Sequence, residues 1–363
     1  MRRYLIRFIL WNTLILMPLM GMCRELRGVW VEFTPRSWGK ASDTQVREII
    51  RDLDKNNFNA IFPLARDYSG GMLYTSAYSS TAHATVLPVM INEAHKRGIE
   101  VHAWMPSLIG GFITPDPVLK QHPDWAVVYK DGKNCLERPI DKCYWWLDPS
   151  NPGVREHLKN LAKEMARQGV DGINLDWLRI SPAHTWSTTF RDGFRNKYGV
   201  DPLTINTPDM EAKWTQYRIE VVTSLASEIR SAAKSVNPKI KISAAVAPDP
   251  EECKSARLQD WLAWTDFLDF IFPMLYQPPT PELTAKAKEL MAKAKCPVYI
   301  GLGGDETRFS EASTYGQLIQ YVRESGSRGY SFYRLDLPDK THYLNRADLE
   351  ALKKTVNKKR TRP

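Results

Sequence analysis

Residues 154–178, VREHLKNLAKEMARQGVDGINLDWL, contain one complete unit of the pattern that decides the fold. In Val154–Gln168 the apolar residues recur at helical spacing, and Gly169 follows where a helix typically ends. The run Gly172–Leu178 is short, largely apolar and typical of a buried strand. The stretch therefore predicts a helix that leads directly into a strand, as in parallel α/β proteins.

Strand-like runs of this kind recur eight times and alternate with helical patterns. They are Leu26–Phe33, Asn59–Asp67, Glu100–Pro106, Gly172–Leu178, Ile240–Ala247, Asp269–Tyr276, Pro297–Leu302 and Gly329–Leu335. No Gly-x-Gly-x-x-Gly follows the first run, which argues against a doubly wound nucleotide-binding sheet. Eight units with near-continuously apolar strands predict an α/β protein with a single (β/α)8 TIM-type barrel.

Two connections are too long for simple loops, namely 107–151 after the third strand and 179–213 after the fourth. We expect long insertions after strands 3 and 4. Both would lie at the carboxyl ends of the strands, where barrel enzymes build their active sites.

Composition and charge exclude several classes of protein. Of the 363 residues, 43% are hydrophobic and 25% charged, which excludes disordered, collagenous and disulfide-scaffold chains. The net charge of +9 comes from the two ends: three arginines lie in residues 1–22 and six basic residues in 353–363. The remaining body is neutral, so we expect no nucleic-acid partner. We expect the basic tail, 353–363, to be disordered.

The amino terminus resembles an export signal. Arg2, Arg3 and Arg7 precede an apolar run of about 15 residues, shorter than the roughly 20 that a membrane span needs. We expect residues 1–22 to be a signal peptide, 23–352 to be the barrel domain, and the protein to be extracytoplasmic: periplasmic, secreted or envelope-anchored. Cys23 follows directly, which leaves a lipid anchor as an alternative. No other stretch is apolar enough for a membrane span.

The spacing of the cysteines allows a disulfide bond but does not indicate a metal site. Cys135 and Cys143 lie eight positions apart in the first long connection. They could form a disulfide or remain two free thiols. No Cys-x-x-Cys or Cys/His spacing indicates zinc, and we expect neither a metal nor a cofactor.

Alternation along the strands identifies the side chains that face the barrel axis. Apolar Ile173, Leu175 and Trp177 share one face of the fourth strand, so Asn174 and Asp176 should point inward. By the same argument Trp30 and Glu32 point inward from the first strand. An isolated inward carboxylate is costly to bury unless it is paired or used. Asp176 and Glu32 are therefore either functional or partners in ion pairs with arginines such as Arg66 or Arg334.

The predicted mouth gathers carboxylates, cations and aromatic rings. Cleavage of a glycosidic bond needs two carboxyl groups, one protonated and one ionised, and aromatic faces suit the C–H faces of sugar rings. The candidate catalytic residues are Asp176, Glu32 and Asp249. The candidate substrate-binding residues are Arg66, His102, Trp104, Asn174, Trp177 and Tyr276.

Several stretches carry a resemblance to a known family. They include RGVW (Arg27–Trp30), EAHKRGIEVHAWMP (Glu93–Pro106), VDGINLDW (Val170–Trp177) and DFIFPMLY (Asp269–Tyr276). The chain resembles the bacterial glycosyl-hydrolase-like family 10, which are exported (β/α)8 proteins. The resemblance implies a glycoside hydrolase fold and a glycan substrate, in some members the glycan strands of peptidoglycan. It implies that Arg66, His102, Trp104, Asp176 and Tyr276 are site positions.

The chain departs from that family pattern at two positions. Members often carry a second acid where this chain has Trp177, and frequently Gln where it has Met274. Glu32 and Asp249 come from the residues alone. We expect an exported glycoside hydrolase. The rival hypotheses are a non-catalytic glycan-binding barrel of the cell envelope and an envelope scaffold with a large exposed apolar patch.

Overall fold

The computed structural model describes residues 24–32, 42–141, 143–303, 312–335 and 346–357. Its strands, in chain order, are β1 (Leu26–Val31), β2 (Ala60–Pro63), β3 (Glu100–Pro106), β4 (Ile109–Phe112), β5 (Thr114–Pro115), β6 (Tyr144–Trp146), β7 (Gly172–Asp176), β8 (Lys241–Val246), β9 (Phe270–Leu275), β10 (Ile300–Gly303) and β11 (Gly329–Leu335). Eight of them form a closed parallel barrel in the order β1-β11-β10-β9-β8-β7-β3-β2. These are the eight predicted strands, so the TIM-type barrel is confirmed.

Helices separate the barrel strands along the chain. They are α1 (Asp43–Lys55), α2 (Val86–His95), α3 (Pro117–Gln121), α4 (Pro152–Arg167), α5 (Thr188–Tyr198), α6 (Pro208–Val236), α7 (Pro250–Arg257), α8 (Trp261–Trp264), α9 (Pro281–Lys293), α10 (Ala312–Ser325) and α11 (Arg346–Asn357). Local sequence sets their starts: Ser42 and Gln45 form a capping box before α1, and Asn151 caps α4 ahead of Pro152.

The two faces of each barrel strand pack into different cores. Val29 and Val31 point outward into the layer between strands and helices, whereas Trp30 points inward. Phe62 of β2 and Phe272 of β9 meet Trp30 inside the barrel, with ring centroids 5.0–5.3 Å apart. The barrel interior is therefore a packed aromatic core, and the carboxyl-terminal end of the strands is where barrels of this type bind their ligands.

The connections that follow β3 and β7 lie together at that end. Between β3 and α4, strands β4, β5 and β6 form an antiparallel sheet in the order β5-β4-β6. Between β7 and α6 lies α5, which begins after Ser187 and ends at Gly199. The Trp186 amide donates to the Val128 carbonyl at 3.1 Å. One wall of the barrel mouth is thus built from both connections.

Other expectations concern the ends of the chain and the cysteines. The predicted signal peptide, 1–22, and Cys23 lie outside the described residues. The predicted tail begins too early at residue 353, because α11 continues to Asn357. Cys135 and Cys143 are free thiols, so a disulfide between them is not formed. None of the helices in the described ranges is long and apolar enough to cross a bilayer.

Candidate active site

Asp176 ends β7 at the carboxyl-terminal mouth of the barrel. Its side chain is 10% exposed, and its Oδ2 accepts a hydrogen bond from the Trp104 indole at 3.0 Å. Its Oδ1 accepts from the Trp177 amide at 2.7 Å and lies 3.6 Å from Nη1 of Arg179. Burial raises the pKa of Asp176, against the positive charge of Arg179 and these hydrogen bonds. Asp176 is therefore a carboxyl group held in place with a raised pKa.

Glu32 follows β1 and provides a second buried carboxylate in the mouth. It forms an ion pair with Arg334, which lies near the end of β11. Its Oε1 accepts a hydrogen bond from the Tyr68 hydroxyl at 3.3 Å. The arginine partner anticipated from the sequence is Arg334, since Arg66 is engaged elsewhere. An arginine and a donated hydrogen bond both favour the ionised form of a carboxylate.

Tyr68 connects these two acids. Burial raises its pKa well above the usual tyrosine value, and Tyr333 and the charges of Glu32 and Asp176 add to this effect. The phenol therefore stays protonated and able to donate a hydrogen bond. Its ring meets Trp104 edge-on at 6.3 Å, and Trp104 in turn bonds to Asp176. Two neighbouring aromatic residues thus hold the two carboxyl groups: Tyr68 bonds to Glu32, and Trp104 bonds to Asp176.

Trp177 does not follow the alternation of β7. Its backbone is left-handed, with φ of 52°, so the chain turns at the end of the strand and the indole joins the mouth instead of the helix layer. The ring stacks on Tyr144 at 5.7 Å, and the guanidinium of Arg179 covers its face at 4.3 Å. Tyr144 continues this stack to Phe112 at 4.9 Å. These aromatic residues form one side of the mouth.

Tyr276 lies at the mouth after β9, as the sequence indicated. Its ring stacks on Tyr333 of β11 at 5.6 Å, and both rings are partly buried. Tyr333 also meets Trp104 edge-on at 5.9 Å. Tyr276 therefore borders the same aromatic group as the carboxyls and retains surface that a ligand can contact.

Three of the predicted substrate-binding residues are interior residues of the barrel. In the β3–β7 register, His102 lies beside Gly172, Trp104 beside Asn174, and Pro106 beside Asp176. The side chains of His102, Trp104 and Asn174 therefore lie at different depths below the mouth than Asp176, although alternation assigns all of them to the inner face.

The structure does not bring His102 and Asn174 to the mouth, because both are fully buried below Asp176. His102 bonds to Glu100 at 2.9 Å near the amino end of the barrel. Asn174 accepts from the Trp30 indole at 3.1 Å and donates to Ser243 at 2.9 Å. Trp104 is 99% buried, so it is a support for Asp176 and not an exposed platform for a sugar ring.

Arg66 is likewise engaged inside the protein and not exposed in the mouth. Its side chain is completely buried, and it forms an ion pair with Asp116 at 2.6 Å. It donates further hydrogen bonds to the carbonyls of Pro106 and Ile109, at 2.9 and 3.0 Å. Arg66 therefore fixes the connection that follows β3, and a substrate cannot reach it in this conformation.

Asp249, the third candidate acid, is engaged as a helix cap. It is the N-cap of α7, and its Oδ1 accepts from the amides of Glu251 and Glu252 at 3.0 and 2.9 Å. These hydrogen bonds lower its pKa, with a smaller contribution from Lys286 and Lys293 of α9. Asp249 borders a groove lined by Gln277 and by residues of α9, whereas the contacts of Glu32 lead through Tyr68 and Trp104 to Asp176, so Glu32 is the partner that the geometry favours among the three candidates.

The sequence reasoning missed Tyr68, Arg179 and Tyr144. Tyr68 lies beyond β2 and Tyr144 in β6, and neither position follows from alternation along a barrel strand. Arg179 could have been identified from the sequence, because it lies three residues after Asp176 and a buried carboxylate at a strand end is stabilised by a nearby cation.

Comparison with known proteins is consistent with this geometry. The model of the family described as glycosyl hydrolase-like 10 matches residues 25–302. The glycosyl hydrolase YngK of Bacillus subtilis is 24% identical over 323 residues, covering 76% of this chain and 59% of the relative. The glycosyl hydrolase DigH of Escherichia coli K12 is 33% identical over 98 residues, covering 25% of this chain and 21% of the relative. The chain thus spans well under two thirds of either relative.

Solved structures share the fold at low identity. The PgaB (BpsB) glycoside hydrolase domain of Bordetella bronchiseptica superposes with a TM-score of 0.70 at 15% identity, covering 93% of this chain and 99% of that one. A β-galactosidase of Bacillus circulans sp. alkalophilus gives a TM-score of 0.66 at 13% identity, covering 92% and 55%. At these identities the similarity establishes a barrel of the type found in glycoside hydrolases.

Proposed function

The chain belongs to the glycosyl hydrolase-like 10 family, and from this membership we propose that it is a glycoside hydrolase acting on O-glycosidic bonds. The observation that carries the proposal is the pair of buried carboxyl groups, Asp176 and Glu32, on either side of Tyr68 at the barrel mouth. The substrate is a polysaccharide or the glycan strand of peptidoglycan.

The two acids have environments that suit different roles. The raised pKa of Asp176 favours a protonated carboxyl that donates its proton to the leaving glycosidic oxygen. Glu32, paired with Arg334 and bonded to Tyr68, acts as the ionised carboxylate. It attacks the anomeric carbon or activates a water molecule for that attack. If Glu32 attacks the carbon, the ionised Asp176 next takes a proton from the water molecule that hydrolyses the glycosyl–Glu32 bond, which restores both acids. If Glu32 activates water instead, it takes that water's proton and releases it to solvent, and Asp176 regains a proton from solvent.

The aromatic residues of the mouth provide a surface for the sugar. Three aromatic side chains around Asp176 are partly exposed, namely Trp177, Tyr276 and Tyr144. Sugars bind such surfaces through their apolar C–H faces, and polar groups fix their orientation. This surface supports a carbohydrate substrate over a peptide or a polyanion.

We also propose that the protein acts outside the cytoplasm. This rests on the basic and apolar segment at residues 1–22, which has the order of charge and hydrophobicity typical of a signal peptide. A polymeric cell-envelope or environmental glycan would be accessible there. Amino-terminal sequencing and fractionation test this: a mature chain starting near Cys23 supports it, and an intact Met1 in the cytosol contradicts it.

Activity screening of the purified protein tests the hydrolase proposal. The panel contains denuded peptidoglycan strands and plant and algal polysaccharides, and the assay measures new reducing ends and released oligosaccharides. We expect cleavage of at least one glycan, with none from a parallel preparation of the Asp176→Asn variant. Binding without any cleavage would favour the rival hypothesis of a non-catalytic glycan-binding barrel. The ion pair between Glu32 and Arg334 is compatible with that hypothesis too, because it gives Glu32 a structural role.

A further inference from the structure

Arg179 is a largely buried cation in the mouth, and one of its donor nitrogens, Nη1, is buried without a hydrogen-bond acceptor. Its side chain is 12% exposed, and its buried Nη1 has no hydrogen-bond partner among the described residues. Nη1 is enclosed on the side of Asp176, at 3.6 Å from Oδ1, which is beyond hydrogen-bonding distance. A guanidinium has five N–H donors, and buried donors without acceptors cost free energy. This arrangement needs an explanation beyond packing.

A purely structural ion pair would look different. Arginine and carboxylate partners that serve only each other usually meet in a bidentate arrangement at about 2.7–2.9 Å. The buried Arg66 does approach its partner Asp116 this closely, at 2.6 Å. Arg179 instead lies flat on Trp177, with its centre 4.3 Å from the ring. Stacking fixes the plane of the guanidinium and leaves its edge, where Nη1 has no acceptor, free to meet a ligand.

The location of Arg179 is that of a ligand contact. The side chain adjoins Asp176, covers Trp177 and interacts electrostatically with Tyr276, all of which border the mouth. In the proposed reaction Asp176 is neutral when the substrate arrives. Arg179 then loses the negative charge of Asp176 beside it, and an acceptor from the substrate would compensate the buried cation.

We propose that Arg179 is a substrate-binding residue whose guanidinium donates hydrogen bonds to an oxygen of the sugar unit at Asp176. The inference rests on the proposed glycan-binding mouth and names an oxygen acceptor as the group that this subsite recognises. That oxygen belongs either to a neutral hydroxyl or acetamido group or to the carboxylate of a uronic acid, and both accept from arginine.

Binding to a glycan array of neutral and uronic-acid oligosaccharides tests the proposal. The parent protein is the Asp176→Asn variant, because asparagine is neutral like the protonated acid and prevents turnover. Adding Arg179→Gln should weaken binding of the recognised oligosaccharides about 10- to 100-fold, as expected for loss of a hydrogen bond to a charged group. Loss confined to neutral members identifies a hydroxyl or acetamido acceptor, and loss confined to uronates identifies a carboxylate.

Arg138→Gln in the same background is the matched control. The Arg138 guanidinium also stacks on an aromatic ring, 3.8 Å from the centre of Tyr129, but its side chain is 49% exposed. Binding should not change in this control. If Arg179→Gln fails to fold, Arg179→Lys keeps the charge without the planar fork, and its melting temperature and affinity are measured instead; it too should bind more weakly.

Two results would overturn the proposal: unchanged affinity in the folded Arg179 variants, or a parent that binds no member of the array. The wild type is then assayed for cleavage of the bound oligosaccharides. Arg179-dependent binding without cleavage would uphold this inference and contradict the hydrolase proposal. Cleavage together with binding that does not depend on Arg179 would support the hydrolase proposal and contradict this inference.

Discussion

Replacing Arg66 with methionine should destabilise the protein without weakening substrate binding. Arg66 and Asp116 have side-chain exposures of 0% and 2%, so the substitution leaves a carboxylate buried without its cation. It also removes the donors to the Pro106 and Ile109 carbonyls. Removing one partner of a buried ion pair typically costs about 3–5 kcal/mol. At about 2 °C per kcal/mol for a chain of this size, Tm should fall by roughly 6–10 °C.

Calorimetry together with steady-state kinetics on a cleaved glycan checks this prediction. KM measured well below the transition should stay within about twofold of the wild type, because Arg66 has no surface in the mouth. The double variant Arg66→Met/Asp116→Leu should recover most of the lost stability. It should retain a deficit of about 1 kcal/mol, since Asp116 also caps α3 through the Val118 amide. An unchanged Tm with a strongly raised KM would refute the structural role and restore the substrate-binding hypothesis.

Three further predictions address the supports of the site and the stability of the fold. Trp104→Phe removes the 3.0 Å hydrogen bond that lowers the pKa of Asp176, so the alkaline limb of the pH–rate profile should move to higher pH; an unmoved limb contradicts this. Burial lowers the pKa of His157 to about 3, below its unfolded value of about 6.5. Between these two pH values the unfolded state binds more protons than the folded state, so the free energy of unfolding should fall as pH falls from about 6.5 toward 3. Urea unfolding of His157→Leu should show a weaker dependence on pH in that range. Asp249→Ala should lose about 1 kcal/mol of stability with unchanged turnover, since Asp249 caps α7.

The fold could be predicted because its signals are local and repeated. Each barrel strand is a short apolar run bounded by Gly, Pro or charged residues, and alternation correctly separated inward Trp30 and Glu32 from outward Val29 and Val31. These signals depend only on neighbouring residues. They are therefore visible without knowledge of tertiary contacts.

The site was less predictable because depth and long-range partners have no local signal. Alternation placed His102 on the inner face but not below the mouth, since depth depends on the register between β3 and β7. The partner of Arg66 is Asp116, fifty positions later in a connection that no periodicity describes. Trp177 leaves the strand pattern because its backbone is left-handed.

The central claim is that Asp176 and Glu32 perform the chemistry, and the turnover of matched amide variants tests it most directly. On a glycan that the wild type cleaves, Asp176→Asn and Glu32→Gln are compared with Asp249→Asn, which has the same chemical change outside the mouth. We predict that kcat falls by about 10²–10⁴-fold for the first two and is unchanged for the third, with all three proteins folded. Full turnover by Asp176→Asn would contradict the account.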